Sequence, residues 1–325
     1  MYQFRLGKIG KELESPRSWV ATIALGLALL GIASASILIA IASGEIKSNA
    51  ITCDRLLIAA VTFGIWNNFL NNSFLKTSSL NPDFSSEYIP VYTGRAIILL
   101  LVAGISFAIS LSLWAWSLTQ TSIANSTLLN NMMPIFTTLG GWLVFRQRFS
   151  ARFLIGMAVA IIGAIAIGIE DLQVADNGLI GDGAALIAAM FSAISILTLE
   201  QLRVNFSTSI IMQWTSLAGG LFLLPLVLLT EDRLLPISVT GWPAVIGLGL
   251  ISQAVGQGLL TYSLANFSSG FVAVSMLAIP VIAAVLAMVI FAEQLSLLNW
   301  LAFGIVLAGI YLAISAKNNS PLSAE

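Results

Sequence analysis

Uncharged polar side chains recur at helical spacing inside long apolar segments. They are the groups of this chain that could form hydrogen bonds within a membrane. Gln253, Gln257 and Thr261 are spaced four residues apart, so they share one face of a helix. Asn130 and Pro134 have the same spacing in an earlier segment. An unsatisfied polar group in hydrocarbon costs roughly several kcal/mol. These faces therefore predict either solute recognition in a water-lined cavity or hydrogen bonds between helices, and the residues leave both open.

A third segment adds aromatic surface to this set. Trp114 shares a helical face with Ser106, Ser110 and Ser117, so an indole ring would stand beside hydroxyl groups. The bulky polar side chains nearest the middle of three segments are the predicted substrate contacts, namely Trp114, Asn130, Gln253 and Gln257.

Two prolines mark an internal repeat. The stretch from Ser117 to Gly163 superposes without a gap on the stretch from Ser263 to Gly309 when it is shifted by 146 residues. This shift, called the repeat shift below, places Pro134 on Pro280. A proline cannot donate to the carbonyl four residues earlier. Matching interrupted segments in two halves are typical of a transporter's binding region, although a simple kink in a packed helix is the alternative. We predict that Pro134 and Pro280 are gating points that face one central cavity.

The groups that most enzymes and metalloproteins need are scarce. The chain has no histidine, and Cys53 is its single cysteine. The predicted apolar cores hold no Asp, Glu, Lys or Arg at depth, whereas intramembrane proteases and proton pumps place such groups in the membrane. We therefore predict no catalytic residue, no metal, no cofactor and no enzymatic activity. Because a P-loop is also absent, we expect flux to follow the substrate gradient without a proton gradient.

The composition is that of an integral membrane protein. Of the 325 residues, 58% are hydrophobic and 9% are charged, and the mean hydropathy is +0.96. Soluble domains carry about 25% charged residues. The net charge of -1 gives no indication of a nucleic-acid partner.

Apolar runs predict an all-α fold of ten transmembrane helices. Their expected positions are 19–43, 56–75, 97–118, 122–145, 153–169, 183–200, 208–230, 242–264, 268–291 and 297–316. An odd number of spans in each half requires the second half to enter the membrane from the opposite side. The predicted organisation is a tail at 1–18, two inverted five-helix repeats at 19–170 and 181–316, and a tail at 317–325.

The basic residues of the loops predict the orientation. One side of the membrane would hold eleven of them, against three on the other, which are Lys47, Arg55 and Arg233. Cytoplasmic loops carry the excess of Lys and Arg. Both tails are therefore expected in the cytoplasm, with the loop from Glu170 to Asp182 outside, in a multi-pass protein of the cell (inner or plasma) membrane.

The repeated blocks resemble the EamA-type ten-helix carriers of the drug/metabolite transporter superfamily. The resemblance rests on Leu128 to Gly163 and Val274 to Gly309, each with an apolar helix, a central proline, a short polar turn and a glycine-bearing helix. Arg55 matches an arginine usual at the start of that family's second helix. In the family turn, a Glu is followed nine residues later by a Gly. Here the first copy has Gln147 and Gly156, so it keeps only the Gly, whereas the second copy has Glu293 and Ala302 and keeps only the Glu.

This resemblance implies inverted repeats, cytoplasmic termini, a central cavity and the transport of small metabolites, often the export of amino acids. We therefore expect an exporter or facilitator of a small neutral or zwitterionic solute that works by alternating access. Its expected partners are the substrate and the lipid bilayer, and a monomer is compatible with the sequence. A transport-inactive structural or regulatory membrane protein is the alternative.

Overall fold

The computed structural model describes residues 16–78, 92–168, 178–231, 233–239, 241–291 and 295–315. Within these ranges the chain forms ten helical segments and no strand. They are α1 (Pro16–Ala42), α2 (Ser48–Ser78), α3 (Gly94–Ser117), α4 (Ile123–Asn130 and Met133–Phe145), α5 (Ala151–Gly168), α6 (Leu179–Leu202), α7 (Thr208–Thr230), α8 (Gly241–Ser263), α9 (Ser269–Met276 and Ala278–Phe291) and α10 (Leu297–Ile314).

The lengths of these segments suit a bilayer. Among the described residues, nine segments are at least 18 residues long and apolar enough to cross a membrane, and α5 contributes a shorter apolar helix, Ala151–Ile167. A span needs about 20 apolar residues, with a range of about 17 to 25. The predicted all-α membrane fold is confirmed. Most of both predicted tails and most of the loop from Glu170 to Asp182 lie outside the described residues.

The start of α2 differs from the sequence-based prediction. The helix begins at Ser48 rather than at 56, and Glu231 accepts a hydrogen bond from the Ala50 amide at 3.0 Å. That carboxylate satisfies one of the unpaired amides of the first turn and suits the positive end of the helix dipole. The prediction that Arg55 belongs to a loop is therefore wrong, because Asp54 and Arg55 lie within the helix and are buried.

Matching N-caps begin the corresponding helices of the two repeats. Ser122 accepts a hydrogen bond from the Asn125 amide at the start of α4, and Ser268 accepts one from the Phe271 amide at the start of α9. The Ser150 hydroxyl likewise accepts from an amide of α5, as its counterpart does in α10. The repeat shift carries each cap of the first half onto one of the second, so the local rules for helix initiation are duplicated with the sequence.

The helices that contain the two prolines are both interrupted. α4 breaks at Asn131 and Met132, and α9 breaks at Leu277, onto which the repeat shift carries Asn131. Pro134 and Pro280 each follow the break within the first turn of the second helical piece. A proline is tolerated there because the first-turn amides have no intrahelical partner. The two stretches predicted to be interrupted are interrupted at equivalent positions.

The crossing of α5 with α10 displays the inverted symmetry directly. Gly309 packs against the backbone of Ala160, and Gly163 packs against the backbone of Val306. The repeat shift places Ala160 on Val306 and Gly163 on Gly309, so the two contacts are equivalent under the exchange of the repeats. Small residues let the two backbones approach closely, as is common in membrane helices. The same exchange relates the packing of α3 on α6 to that of α1 on α8, so the fold is two inverted five-helix repeats.

Candidate functional site

A small cavity lies between the two repeats. Its wall is formed by α2 and α3 of the first repeat and by α6, α7 and α8 of the second. The polar side chains that line it are those of Ser195, Thr215, Ser216, Gln253 and Gln257. Its volume is about 20 Å³, which is room for about one water molecule.

Gln253 belongs to this wall and contacts a buried arginine. Its Oε1 accepts hydrogen bonds from Arg55 Nε at 3.1 Å and from Arg55 Nη2 at 2.7 Å. Arg55 is 5% exposed and Gln253 is 2% exposed. The arginine lies about 10 Å along the axis from the start of α2. The contact therefore joins the first repeat to the second within the membrane.

Gln257 lines the same cavity but differs from Gln253 in its partners. Its side chain is 9% exposed, and it makes no hydrogen bond to any residue that the structure describes. Thr261, one turn further along α8, donates to the Met212 sulfur at 3.3 Å. Gln253 and Gln257 thus share one face that lines the cavity, as predicted, and only the Gln253 amide has a hydrogen-bond partner among the described residues.

The backbone of α8 changes type where these glutamines lie. Residues Leu248–Gln257 form a π-helix, in which amides bond to carbonyls five residues earlier. Gly249 packs closely against Ile58 there, and Gly256 packs against Gly31. π-helical stretches are frequent at functional sites. Close packing on α1 and α2 accompanies this local widening of the helix.

Trp114 and Asn130 lie apart from the lining of this cavity. Trp114 is seven residues beyond Phe107, a lining residue of α3, which corresponds to about 10 Å along the helix. The Trp114 Nε1 and the Asn130 Oδ1 are both buried without a hydrogen-bond partner. Each of these two predicted contacts thus offers an unpaired polar atom, but in a different region from Gln253 and Gln257.

The two prolines differ in burial while their helices pack equivalently. Pro134 is buried and Pro280 is partly buried. The second piece of α4 packs against α6, and the second piece of α9 packs against α1, its counterpart under the inverted repeat. The predicted role of both prolines in gating stays a prediction.

The start of α2 contains two ionisable residues that sequence reasoning placed outside the helices. Asp54 and Arg55 are both 5% exposed, and Asp54 Oδ2 has no hydrogen-bond partner. Glu200, near the end of α6, accepts a hydrogen bond from Gln147 at 3.2 Å. The statement that no acid lies within the helix cores is therefore wrong, and the expectation of flux without a proton gradient loses its basis. The family resemblance at Arg55 was the signal that could have placed it inside a helix.

Charged groups at the ends of the bundle tie its loops to neighbouring helices. Glu45, between α1 and α2, accepts hydrogen bonds from the amides of Ile237 and Ser238 at 2.9 and 3.0 Å and from the Ser238 hydroxyl. The Ser238 hydroxyl, then the two amides, lower the pKa of the Glu45 carboxyl. At the other end burial lowers the pKa of Arg203, with a smaller opposing effect from Tyr262. Among the described residues, no cluster of three or more His, Cys, Asp or Glu could hold a metal ion.

The chain resembles known transporters along most of its length. It is 24% identical over 236 residues to YetK, an uncharacterized transporter of Bacillus subtilis (strain 168), across 70% of this chain and 71% of that protein. It is 26% identical over 168 residues to an uncharacterized transporter of Helicobacter pylori (strain ATCC 700392 / 26695), across 49% of this chain and 53% of that protein.

A solved crystal structure shares the fold. It superposes with a TM-score of 0.72 at 15% sequence identity, over 91% of this chain and 97% of that chain. The EamA-like transporter family matches residues 17–169 and again residues 179–315. Because one family matches both halves of the chain, and both halves have the packing of an inverted repeat, this protein belongs to the EamA-like transporter family.

Proposed function

We propose that this protein moves a small neutral or zwitterionic metabolite, such as an amino acid, across the cell membrane as an exporter or facilitator. The solute occupies the cavity between the repeats, and the repeats open it to each side in turn. The proposed organisation is the one predicted from the sequence, a tail, two five-helix repeats and a second tail, with the first helix of each repeat beginning slightly earlier, at Pro16 and at Leu179.

The observation that carries this proposal is the unpaired amide of Gln257 in a cavity within the membrane. A hydrogen bond to a side-chain amide is worth about 0.5–1.5 kcal/mol net, and a solute that bonds to Gln257 gains that free energy. A helix-packing role would instead pair the amide with a neighbouring helix.

Three features fit a cavity that changes shape. The volume of about 20 Å³ is too small for an amino acid, so the solute enters only when the repeats separate. The breaks in α4 and α9 divide two spans at equivalent positions, which supports the gating role of Pro134 and Pro280. The unpaired atoms of Trp114 and Asn130 would meet the solute along its route.

The proposed orientation places both termini in the cytoplasm. Arg55 no longer counts among the basic residues of the loops, because it lies inside α2. The excess of basic loop residues on the proposed cytoplasmic side therefore becomes larger. The connection that holds Glu45 and the one that holds Ser238 meet at one end of the bundle, as the order of spans requires. That end is the outer one in this proposal.

Efflux from proteoliposomes tests the proposal. Vesicles that contain the purified protein are loaded with a pool of amino acids and related solutes, and the loss of each solute is measured by mass spectrometry against protein-free vesicles. We expect selective loss of a few solutes. Loss equal to that of protein-free vesicles for the whole pool would favour the transport-inactive alternative.

A further inference from the structure

Arg55 carries a positive charge inside the membrane without a matching negative one. Its side chain is buried, and it forms no ion pair with any residue that the structure describes. Asp54 is adjacent in sequence, but neighbouring residues of a helix point about 100° apart. A charge taken out of water without a counter-ion is strongly unfavourable, and such residues in a span are usually functional.

The contact that Arg55 does make has the geometry of anion recognition. Nε and Nη2 form one edge of the planar guanidinium, and both donate to the single Oε1 of Gln253. A carboxylate binds this edge with two oxygens, one for each donor. The Gln253 amide oxygen therefore occupies the place of a carboxylate but brings no negative charge.

The Gln253 side chain that meets this edge also lies in the wall of the cavity. Gln253 and Leu56, the residue after Arg55, both line it, and the Ser216 hydroxyl in its wall is buried without a partner. A solute carboxylate that enters from the cavity thus reaches Gln253 first. The neutral amide can yield its place because it forms a weaker pair with the guanidinium than a charged group does.

We infer that the transported solute bears a carboxylate, and that this carboxylate replaces the Gln253 amide on Arg55 when the solute binds. This inference rests on the proposed transport function and narrows its substrate class. It also assigns two roles: Arg55 is the anion receptor, and Gln253 holds the receptor in place when the cavity is empty.

Matched pairs of solutes test the inference in the wild-type protein. Proteoliposomes are loaded with leucine and leucinamide, phenylalanine and phenylalaninamide, and alanine and alaninamide, together with the rest of the pool. Each amide keeps the side chain and amine but lacks the carboxylate. We expect the transported solutes to be carboxylates, with their amides transported about ten- to hundredfold more slowly.

A substitution at Gln253 provides the second test. Gln253→Glu places a permanent carboxylate on Arg55, so we expect a folded protein that has lost about ten- to hundredfold of its efflux rate. Gln213→Glu is the matched control, because Gln213 accepts a bond from Asn67 at 2.7 Å and a carboxylate oxygen can accept the same bond. Arg55→Lys keeps the charge without the planar edge and should also impair transport of carboxylates.

The outcomes separate the two proposals. Efflux of carboxylates alone, lost in Gln253→Glu but kept in Gln213→Glu, supports the inference. Equal efflux of acids and amides overturns it and leaves the transport function standing. Efflux of no solute overturns the transport function, and this inference falls with it. If Gln253→Glu fails to fold, the comparison of acids with amides in the wild-type protein still decides.

Discussion

At the scale of single residues, the two glutamines of α8 have different tasks. Gln253 is engaged by Arg55, whereas Gln257 faces the cavity without a described partner. Gln257→Leu should therefore weaken substrate binding about tenfold while the protein stays folded, because no buried partner loses its hydrogen bond. The substrate-induced rise in melting temperature measures the first effect, and the melting temperature without substrate measures the second.

A control separates solute recognition from helix packing. Gln213→Leu removes an acceptor that Asn67 uses, so it should lower the melting temperature and leave affinity unchanged. If Gln257→Leu instead behaves like Gln213→Leu, the Gln257 amide is a packing group and its proposed role fails.

Glu45 gives the bundle a pH-dependent contact. The pKa of its carboxyl is lowered by hydrogen bonds from Ser238 and Ile237, so its stabilising effect is complete above the ordinary glutamate pKa of about 4.3 and is lost as the pH falls below it. Glu45→Gln should lower the melting temperature at neutral pH and reduce its decline between about pH 5 and pH 3. An identical decline in both proteins would show that Glu45 does not contribute to it.

The site residues show which features of single positions can be predicted. The spacing of Gln253 and Gln257 placed both on one cavity-facing side, since periodicity is a local property. The partner of Gln253 lies 198 residues away, and no local pattern encodes such a contact. The apolar run predicted to begin at 56 leaves Arg55 in a loop, because residues 48–55 include polar and charged side chains. The carboxylate that caps this helix start, Glu231, is 181 residues from Ala50.

At the scale of elements, the paired breaks in α4 and α9 are the features most directly tied to movement. Pro134→Ala supplies an amide that can donate to the Asn130 carbonyl, so it should straighten α4 and reduce transport more than expression. Pro225→Ala is the control, because Pro225 lies within α7 and outside both broken helices. Undiminished transport per folded molecule of Pro134→Ala would leave the proline as a packing feature.

The glycine contacts of α5 and α10 should be intolerant of added volume. A Cβ on Gly156 would meet the Gly309 carbonyl at 2.7 Å, whereas a Cβ on Gly304 of α10 would meet nothing within 4 Å. Gly156→Ala should therefore destabilise the fold by about 1–3 kcal/mol, and Gly304→Ala should not. Thermal unfolding of both variants measures the difference. Equal melting temperatures would contradict the observed close packing.

Elements whose pattern is duplicated were predicted well, and those shaped by packing were not. The breaks beside Pro134 and Pro280 recur under the repeat shift, so the sequence alone indicated them. The π-helical stretch Leu248–Gln257 has no such signal. It adjoins the close approaches of Gly249 and Gly256 to α2 and α1, which only the folded bundle creates.

At the scale of the whole molecule, the proposed orientation places the loop between α3 and α4 outside and the loop between α6 and α7 in the cytoplasm. Thr119 and Asn205 are exposed in these loops. In a Cys53→Ser background, Thr119→Cys should react with a membrane-impermeant thiol reagent in intact cells and Asn205→Cys should not. The opposite pattern would invert the topology. The buried Cys53 thiol donates to the Gly220 carbonyl, a bond that a serine hydroxyl can also make, so the background substitution should be tolerated.

The architecture of the molecule was more predictable than its interior. Ten apolar runs and one repeat shift sufficed for the inverted fold, because the bilayer restricts each span to a helix of limited length. The contact of Thr121 with Asp182 at 2.7 Å joins the loop between α3 and α4 to the first turn of α6, and the order of spans places both at one end. The cavity between the repeats depends on five helices at once, so neither its wall nor its volume follows from any one segment.

The accessibility of the cavity tests the central claim most directly. Ser216 lines the cavity, and its hydroxyl has no partner, so Ser216→Cys in the Cys53→Ser background is a nearly isosteric probe. A membrane-impermeant thiol reagent is applied to intact cells and, separately, to inside-out vesicles. Alternating access predicts labelling from both sides, because each side reaches the cavity in turn. A folded protein that is labelled from neither side, or from only one, would contradict the account.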